Sequence, residues 1–298
     1  MFFAQSPIVR GVIFSFFGFT VWVCADALTK SVGLGGVSPF TIIAFSSWGA
    51  ALTVLLGTLL TGRQALLRPK RWKMQFLRAV PFLVSALINV VAFTNLPMTT
   101  VYIGIFSAPL IISLIGAFFM GEKMSRKQFI AILIGFLGVV VALFPEATHE
   151  LIGTEDPTLG YIVLPFMVLF FVTDMLFIRV LGRTETAESL VFVPFFLRGL
   201  VLLPVFWINS VIELPVQTIL LVLAMGTSAG LGYLFVTAAY KIAPVALVSP
   251  MHYTQLITGA VLGYAVWGTV PSLLVLSGGV LIIISSLIVA HESRRIKA

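Results

Sequence analysis

Ten long apolar stretches, each close to the length that a helix needs to cross a bilayer, dominate this chain of 298 residues. A membrane-spanning helix uses about 20 consecutive apolar residues. The stretches lie at 10–31, 38–61, 76–95, 98–120, 127–144, 159–181, 189–212, 217–240, 244–267 and 271–290. Because 59% of the residues are hydrophobic and only 10% are charged, a soluble fold and a large extramembrane domain are both excluded. The sequence predicts an all-α polytopic membrane protein with ten transmembrane helices.

Basic residues are concentrated at every second connection between these stretches. The connection at 62–75 carries five of them: Arg63, Arg68, Lys70, Arg71 and Lys73. The alternate connections carry almost none, and the longest of these, 145–158, is acidic. The positive-inside rule therefore predicts that the N- and C-termini are cytoplasmic, in a multi-pass protein of the cell inner membrane. The net charge of +7 then indicates contact with anionic lipid, and no nucleic acid is expected as a partner.

Several kinds of site are not expected from the sequence. The single cysteine, Cys24, lies inside an apolar stretch, so neither a disulfide framework nor a zinc cluster is available. We expect no metal site, no cofactor and no catalytic residue. The start of the chain, with Arg10 and the Ala25-Asp26-Ala27 sequence, imitates a secretory signal. Cleavage is not expected there, because this segment has a counterpart later in the chain.

An internal repeat relates residues 1–145 to residues 146–298. An offset of 147 pairs Gly121 with Gly268 and Ser125 with Ser272, and it also pairs Pro97 with Pro244 and Gly116 with Gly263. Near the start of each half, Asp26 corresponds to Asp174 at an offset of 148. Since five helices separate equivalent positions, the two halves are inverted, as is typical of secondary transporters. The alternative is chance similarity between two apolar sequences.

The stretch from Leu96 to Val141 resembles the end of a repeat of the drug/metabolite transporter superfamily, of the EamA type. Its most specific part is the Gly121-Glu122-Lys123 turn, which precedes a helix containing Gly135 and Gly138. The stretch from Ala243 to Val289 resembles the same unit, although Thr269 stands in place of the glutamate. The resemblance implies ten helices, in two inverted five-helix repeats, around a central cavity.

A narrower resemblance concerns one branch of this superfamily. Asp26 and Lys30, Asp174, and the segment Pro250-Met251-His252-Tyr253 are most similar to the S-adenosylmethionine and riboflavin transporter branch. The resemblance implies uptake of such a solute, whereas other members of the superfamily export amino acids, metallophores or drugs.

Ionisable residues inside the apolar stretches are the first candidates for a solute path, because a charge at membrane depth is costly unless it faces a cavity or a partner. These residues are Asp26, Lys30, Asp174, Arg198 and His252. Asp26 and Lys30 are four apart and share one helix face. They form either an intrahelical ion pair or, together with Trp22, a stripe that holds an aromatic or zwitterionic solute.

The two aspartates and Arg198 each allow two interpretations. A carboxylate near each mouth suits a carrier that is coupled to protons or another ion, so Asp26 and Asp174 are candidate coupling residues. Each carboxylate could instead cap a helix or bind a basic residue. Asp174 has no lysine four residues after it, because Ile178 stands at the position that corresponds to Lys30. Arg198 could bind a carboxylate or phosphate group, but snorkelling to the cytoplasmic face is the favoured expectation.

The ninth predicted helix carries a second group of candidate solute-binding residues. Ser249, His252 and Gln255 follow one another at intervals of three residues, so their side chains can face inward together, with Tyr253 beside them. Pro250 frees a backbone carbonyl, which is tolerated at membrane depth where the backbone lines a cavity. The alternative is that His252 is a hydrogen-bonded packing residue.

Three functions other than secondary transport are less consistent with the sequence. The segment from Gly226 to Gly230 has the G-x-S-x-G pattern of a serine hydrolase, but it lies within an apolar helix and not at a strand-to-helix turn. No phosphate-binding loop supports an ATP-driven pump, and no filter loop supports a channel. The sequence predicts a secondary transporter of a small organic metabolite, with membrane lipid and protons as further partners, acting as a monomer or homodimer.

Overall fold

The computed structural model describes residues 7–119, 124–143, 157–208, 214–242 and 249–297, which form α-helices and 3-10 turns and contain no strand. The helices in these ranges are α1 (Pro7–Leu34), α2 (Pro39–Leu60), α3 (Trp72–Asn95), α4 (Met98–Phe106), α5 (Ala108–Phe119), α6 (Arg126–Leu143), α7 (Pro157–Leu181), α8 (Ala187–Val201), α9 (Val205–Ile208), α10 (Val216–Ile242), α11 (Thr254–Trp267) and α12 (Leu273–Lys297). Two 3-10 turns lie at Gln64–Leu67 and Ser249–Tyr253.

Five of the described helices are long and apolar enough to cross a membrane. Their qualifying segments are Val9–Leu34, Pro39–Leu60, Trp72–Asn95, Pro157–Ile178 and Val216–Ile242. The polytopic membrane character of the chain is thereby supported, whereas the count of ten spans and the side on which the termini lie stay predictions.

Three of the predicted apolar stretches are interrupted, so the expectation of one continuous helix in each was wrong there. The stretch 98–120 breaks at Ser107 between α4 and α5, and 189–212 breaks at the turn 202–204 between α8 and α9. In 244–267 the 3-10 turn precedes α11. Pro204 accounts for the second break, because proline lacks the amide hydrogen that would continue the helix.

The other two interruptions share one local arrangement. The hydroxyl of Ser107 donates to the carbonyl oxygen of Gly104 at 2.6 Å. The hydroxyl of Thr254 donates to the carbonyl oxygen of Met251, also at 2.6 Å. Such bonds compete with the backbone hydrogen bonds of a helix and favour a change of its direction. Both bonds therefore help to mark the place where one helical segment gives way to the next.

Hydroxyl side chains cap the starts of several helices. Ser38 accepts a hydrogen bond from the amide of Thr41 and precedes Pro39, which suits the first position of α2. The amide of Gln128 donates to the hydroxyl of Ser125 at the start of α6. At the start of α12, the amide of Val275 donates to the hydroxyl of Ser272.

Glycines allow the closest helix pairs to approach one another. A side chain on Gly226 of α10 would meet the backbone of Ser46 on α2, and one on Gly138 of α6 would meet the carbonyl of Gly278 on α12. These contacts place α10 against α2 and α6 against α12. The Gly226–Gly230 segment is thus a packing surface within a helix, as its small residues suggest.

The distribution of side chains is the reverse of that in a soluble protein. Large apolar residues such as Leu60, Phe118 and Leu273 are among the most exposed, whereas Arg78 and Lys30 are almost completely buried. This arrangement suits a protein whose outer surface meets lipid and whose interior holds polar groups. The helices α1, α2, α3, α7, α8 and α10 surround the larger of two internal cavities.

Candidate functional site

Two adjoining cavities lie between the helices and share five lining residues. The larger has a volume of about 100 Å³ and the smaller about 30 Å³. The shared lining residues are Trp22, Asp26, Ser85, Asn89 and Phe171. Pockets that hold drug-sized molecules usually measure about 300–1,000 Å³. Both cavities are therefore too small, in this conformation, for a whole metabolite.

Asp26 of α1 lies at the junction of the two cavities. The hydroxyl of Tyr102 on α4 donates to Asp26 Oδ2 at 2.9 Å. Tyr102 reaches this position because Gly259 of α11 leaves room for its ring, which a methyl group at Gly259 would meet at 2.5 Å. No basic side chain lies within ion-pair distance of Asp26 among the residues described. Its carboxyl group therefore has one neutral hydrogen-bond partner and forms part of the lining of both cavities.

Lys30 has partners other than Asp26, so the intrahelical ion pair considered from the sequence is not formed. Its Nζ atom donates to the carbonyl oxygens of Phe93 at 3.0 Å and Leu96 at 2.8 Å. These carbonyls end α3, where a positive charge also interacts favourably with the helix dipole. Lys30 lines neither cavity, and only Trp22 and Asp26 of the predicted stripe do so.

Asp174 of α7 is bound by Arg78, a residue that the sequence analysis did not single out. Arg78 Nε donates to Asp174 Oδ1 at 2.6 Å, and Nη2 donates to Oδ2 at 3.3 Å. Arg78 Nη1 donates to the carbonyl of Leu190, and the hydroxyl of Tyr233 donates to Asp174 Oδ2 at 3.4 Å. Asp174 thus has the basic partner that one of the two interpretations predicted.

Arg198 lies inside the protein, so the expectation that it snorkels to the cytoplasmic face was wrong. Its side chain is 6% exposed and lines the larger cavity. Arg198 Nε donates to Ser47 Oγ at 2.7 Å, and the guanidinium lies 4.7 Å from the ring centres of both Phe82 and Phe195. The aromatic rings and the serine hold the cation within the bundle, which explains why it does not extend to the membrane surface.

The structure brings His252 and Gln255 together, as the spacing predicted. Both line the smaller cavity. His252 is stacked on Phe19 with ring centres 4.6 Å apart, so packing and cavity lining coexist at this residue. Tyr253 packs against Phe106 and is not among the described residues that line either cavity. The side chain of Ser249 lies outside the described residues, as does that of Pro250.

One face of α3 supplies cavity residues that the sequence analysis missed. Ser85 and Asn89 are four residues apart, line both cavities and have no hydrogen-bond partner in the described part of the chain. Phe82 and Arg78 lie one and two turns earlier on the same face. This polar stripe at helical spacing within an apolar stretch is the signal that could have identified them.

The chain matches one family model in each half. The model, described as the EamA-like transporter family, covers residues 9–144 and 158–290. A crystal structure with 19% sequence identity superposes with a TM-score of 0.66 over 98% of this chain and 100% of the other. At that identity the likeness supports the fold alone.

Curated relatives include two differently named kinds of transporter. An S-adenosylmethionine uptake transporter of Rickettsia felis is 27% identical over 68% of this chain and 66% of its own length. A protein of the same name from Rickettsia prowazekii is 23% identical over 91% of this chain and 88% of its own length. A pseudopaline exporter of Pseudomonas aeruginosa is 24% identical over 68% of this chain and 69% of its own length.

Proposed function

Because the chain belongs to the EamA-like transporter family, we propose that it is a secondary transporter of a small organic metabolite that works by alternating access. The proposed architecture is ten membrane-spanning helices in two inverted repeats, 1–145 and 146–298, around a central cavity. Both termini are in the cytoplasm, and the membrane is the inner membrane. The alternation of basic and nonbasic connections supports this orientation.

Local structure supports the inverted repeat. The hydroxyl bonds of Ser107 and Thr254 have the same geometry, and the two residues are related by the offset of 147 that relates the halves. The same offset relates the two capping serines, Ser125 and Ser272. Equivalent residues with equivalent local roles are what duplication of one unit predicts. The turn at residues 121–123, which carries the strongest sequence resemblance, lies outside the described residues.

The proposed solute is S-adenosylmethionine or a molecule of similar chemistry. The observation that carries this proposal is that Asp26 and Arg198, neither of which forms an ion pair within the described residues, line one cavity with the aromatic residues Trp22 and Phe171. A cationic sulfonium or ammonium group suits Asp26, and a heteroaromatic ring suits the aromatic walls. The names of the relatives from Rickettsia support this choice. Riboflavin, which is neutral, would leave both charges without a counterpart.

Asp26 and Asp174 are the proposed coupling residues, with protons as the coupling ion. Asp26 lies on the cavity lining, where a proton and a cationic solute can compete for one carboxylate. The partners in this proposal are the solute, membrane lipid and protons, and the working unit is a monomer or a homodimer.

A hydrolase is disfavoured by the family and by the position of its candidate nucleophile. Ser228 lies in the interior of α10, on the segment whose glycines pack against α2. A nucleophile elbow requires a sharp strand-to-helix turn, which this helix does not provide.

Uptake into proteoliposomes tests the proposal. Purified protein, reconstituted with and without a pH gradient, should accumulate labelled S-adenosylmethionine to a level above that in protein-free liposomes. The Asp26→Asn variant, reconstituted to the same density, should accumulate much less. The absence of saturable uptake and of exchange against internal unlabelled solute, by a folded protein, would contradict this choice of solute.

Export is the second candidate function, because one group of relatives is named for exporting pseudopaline. The same liposomes distinguish the two directions. Proton symport, the coupling that uptake requires, should accumulate solute when the proton gradient is directed inward, whereas proton antiport, the coupling that export requires, should accumulate solute only when that gradient is reversed. A panel of amino acids and metal chelators in the same assay identifies the solute of such an exporter.

A further inference from the structure

The side chain of Arg198 forms part of the wall of the larger cavity, and part of its guanidinium group is free to form further hydrogen bonds. The hydroxyl of Ser47 donates to the carbonyl of Ile43 and accepts from Arg198 Nε, which fixes one edge of the group. Phe82 and Phe195 each lie 4.7 Å from the guanidinium carbon, which restricts its plane. The two Nη atoms donate to no acceptor in the described part of the chain, and the residue lines the larger cavity.

The second buried arginine shows what a satisfied guanidinium looks like in this protein. Arg78 uses all three of its nitrogens, with two on Asp174 and one on the carbonyl of Leu190. Asp174, the acid near Arg198 on the same cavity, is therefore already occupied. A buried charge without a counterion is costly. Within the described residues, no side chain supplies a counterion to Arg198.

We propose that Arg198 binds a carboxylate group of the transported solute, while Asp26 and Tyr102 receive its cationic group. The inference rests on the proposed function and specifies its substrate class as metabolites with an amino-acid head group. A guanidinium offers two parallel N–H donors that match the two oxygens of a carboxylate. The carboxyl group of Asp26 lines the same cavity as Arg198, which suits a solute that carries a cationic group beside its carboxylate.

Removal of the carboxylate from the solute gives the most direct test. Calorimetry on the purified full-length protein compares S-adenosylmethionine with its decarboxylated analogue, which differs only in that group. We expect the wild-type protein to bind the carboxylate form at least tenfold more tightly. In Arg198→Met the two should bind equally, because the carboxylate form alone loses affinity. Arg183→Met, which changes an exposed arginine of the α7–α8 connection, should keep the wild-type preference.

A second pair of probes separates this inference from the proposed solute. If the wild-type protein binds neither adenosyl compound, the choice of solute fails, and free amino acids are then compared with their amides. A preference for the free acids that Arg198→Met abolishes would support the carboxylate site independently. The inference is overturned if no acid binds more tightly than its matched neutral form. This includes the case in which neither form binds. The wild-type comparison can overturn the inference even if Arg198→Met fails to fold.

Discussion

Asp26 touches both cavities, and its carboxylate bonds to one neutral side chain, Tyr102. We expect Asp26→Asn to weaken binding of S-adenosylmethionine about 10- to 100-fold, since a hydrogen bond to a charged group contributes about 1.5–3 kcal/mol. Tyr102→Phe keeps the charge and should weaken binding much less. Trp22→Ala should weaken binding of any heteroaromatic solute, whether charged or neutral. Calorimetry on purified protein measures all three, and equal affinity of wild type and Asp26→Asn would exclude a direct role of the carboxylate.

Asp174 can be a coupling residue, a structural partner of Arg78, or both. Asp174→Asn should lower the free energy of unfolding by about 3–5 kcal/mol, because it leaves the guanidinium of Arg78 buried without its counterion. The double variant Arg78→Gln/Asp174→Asn should be less destabilised than the sum of the single variants, as measured by denaturant unfolding in detergent.

Gradient-driven accumulation then distinguishes the two roles of Asp174. If the double variant is stable and transports normally, Asp174 acts only in structure and the coupling proposal is wrong for this residue. If it is stable and exchanges solute but does not accumulate it against a gradient, Asp174 also serves coupling.

Some of the buried charges, such as Asp26 and Asp174, could be predicted from the sequence, but Arg78, the burial of Arg198 and the partners of these charges could not. Charges in apolar stretches indicated a polar interior, and the spacing of His252 and Gln255 indicated a shared face. Arg78 and Asp174, however, are 96 residues apart, and Arg198 and Ser47 are 151 apart. Which of these residues meet depends on how the helices pack, and hydropathy carries no information on that. The position of Arg198 depends on the rings of Phe82 and Phe195, which pack against its guanidinium group from other turns and helices and which hydropathy does not reveal.

At the level of single elements, each end of α3 is bound by a charged residue from another part of the chain, with an acid at its start and a base at its end. The carboxylate of Glu185 accepts hydrogen bonds from the amides of Lys70 and Arg71 just before α3 begins. Lys30 binds the carbonyls at its other end. Both charges have the sign that the helix dipole favours. The helix that carries Ser85 and Asn89 into the cavities is therefore fixed at both ends.

Lys30→Met should destabilise the protein by about 2 kcal/mol, because the last carbonyls of α3 lose a charged donor. Lys127→Met, which replaces an exposed lysine of α6, should change stability by less than about 0.5 kcal/mol. Thermal or denaturant unfolding in detergent gives both values. Equal stability of Lys30→Met and wild type would show that the bonds to Phe93 and Leu96 contribute nothing net.

Hydropathy located the helical segments well, because each membrane-length apolar run has few alternatives to a helix. It could not predict the interruptions at Ser107 and before Thr254. These depend on single hydroxyl-to-carbonyl bonds within otherwise apolar segments, and such residues also occur in uninterrupted helices such as α2, where Thr53 bonds to Gly49. Hydrophobicity alone does not separate the two cases.

At the level of the whole molecule, orientation is the first property to test. In a Cys24→Ser background, Gln64→Cys should react with an impermeant thiol reagent only from the cytoplasmic side, since Gln64 lies in the most basic connection. Gln217→Cys, at the start of α10, should react only from the outside. Both native glutamines are exposed, so the pair is matched in accessibility. The opposite labelling pattern would reverse the proposed topology.

Alternating access requires the cavities to become accessible from the end where the basic connections lie, and Glu185 joins three segments there. Its carboxylate binds the amides before α3 and the hydroxyl of Ser189, while its carbonyl accepts a bond from Lys241 at the end of α10. Glu185→Gln keeps the size of the side chain but removes the charge. We expect it to favour the open form by about 1–2 kcal/mol, which corresponds to roughly a tenfold change in population.

The rate at which Asn89→Cys reacts with an impermeant reagent in inside-out vesicles reports this opening, because position 89 lines both cavities. Glu185→Gln should raise that rate about tenfold, in proportion to the open population. Glu188→Gln, which removes a charge three residues later in α8, should leave it unchanged. The contacts of Glu185 do not control access from the cytoplasm if Glu185→Gln instead raises labelling from the outer side, or if it leaves both rates as they were.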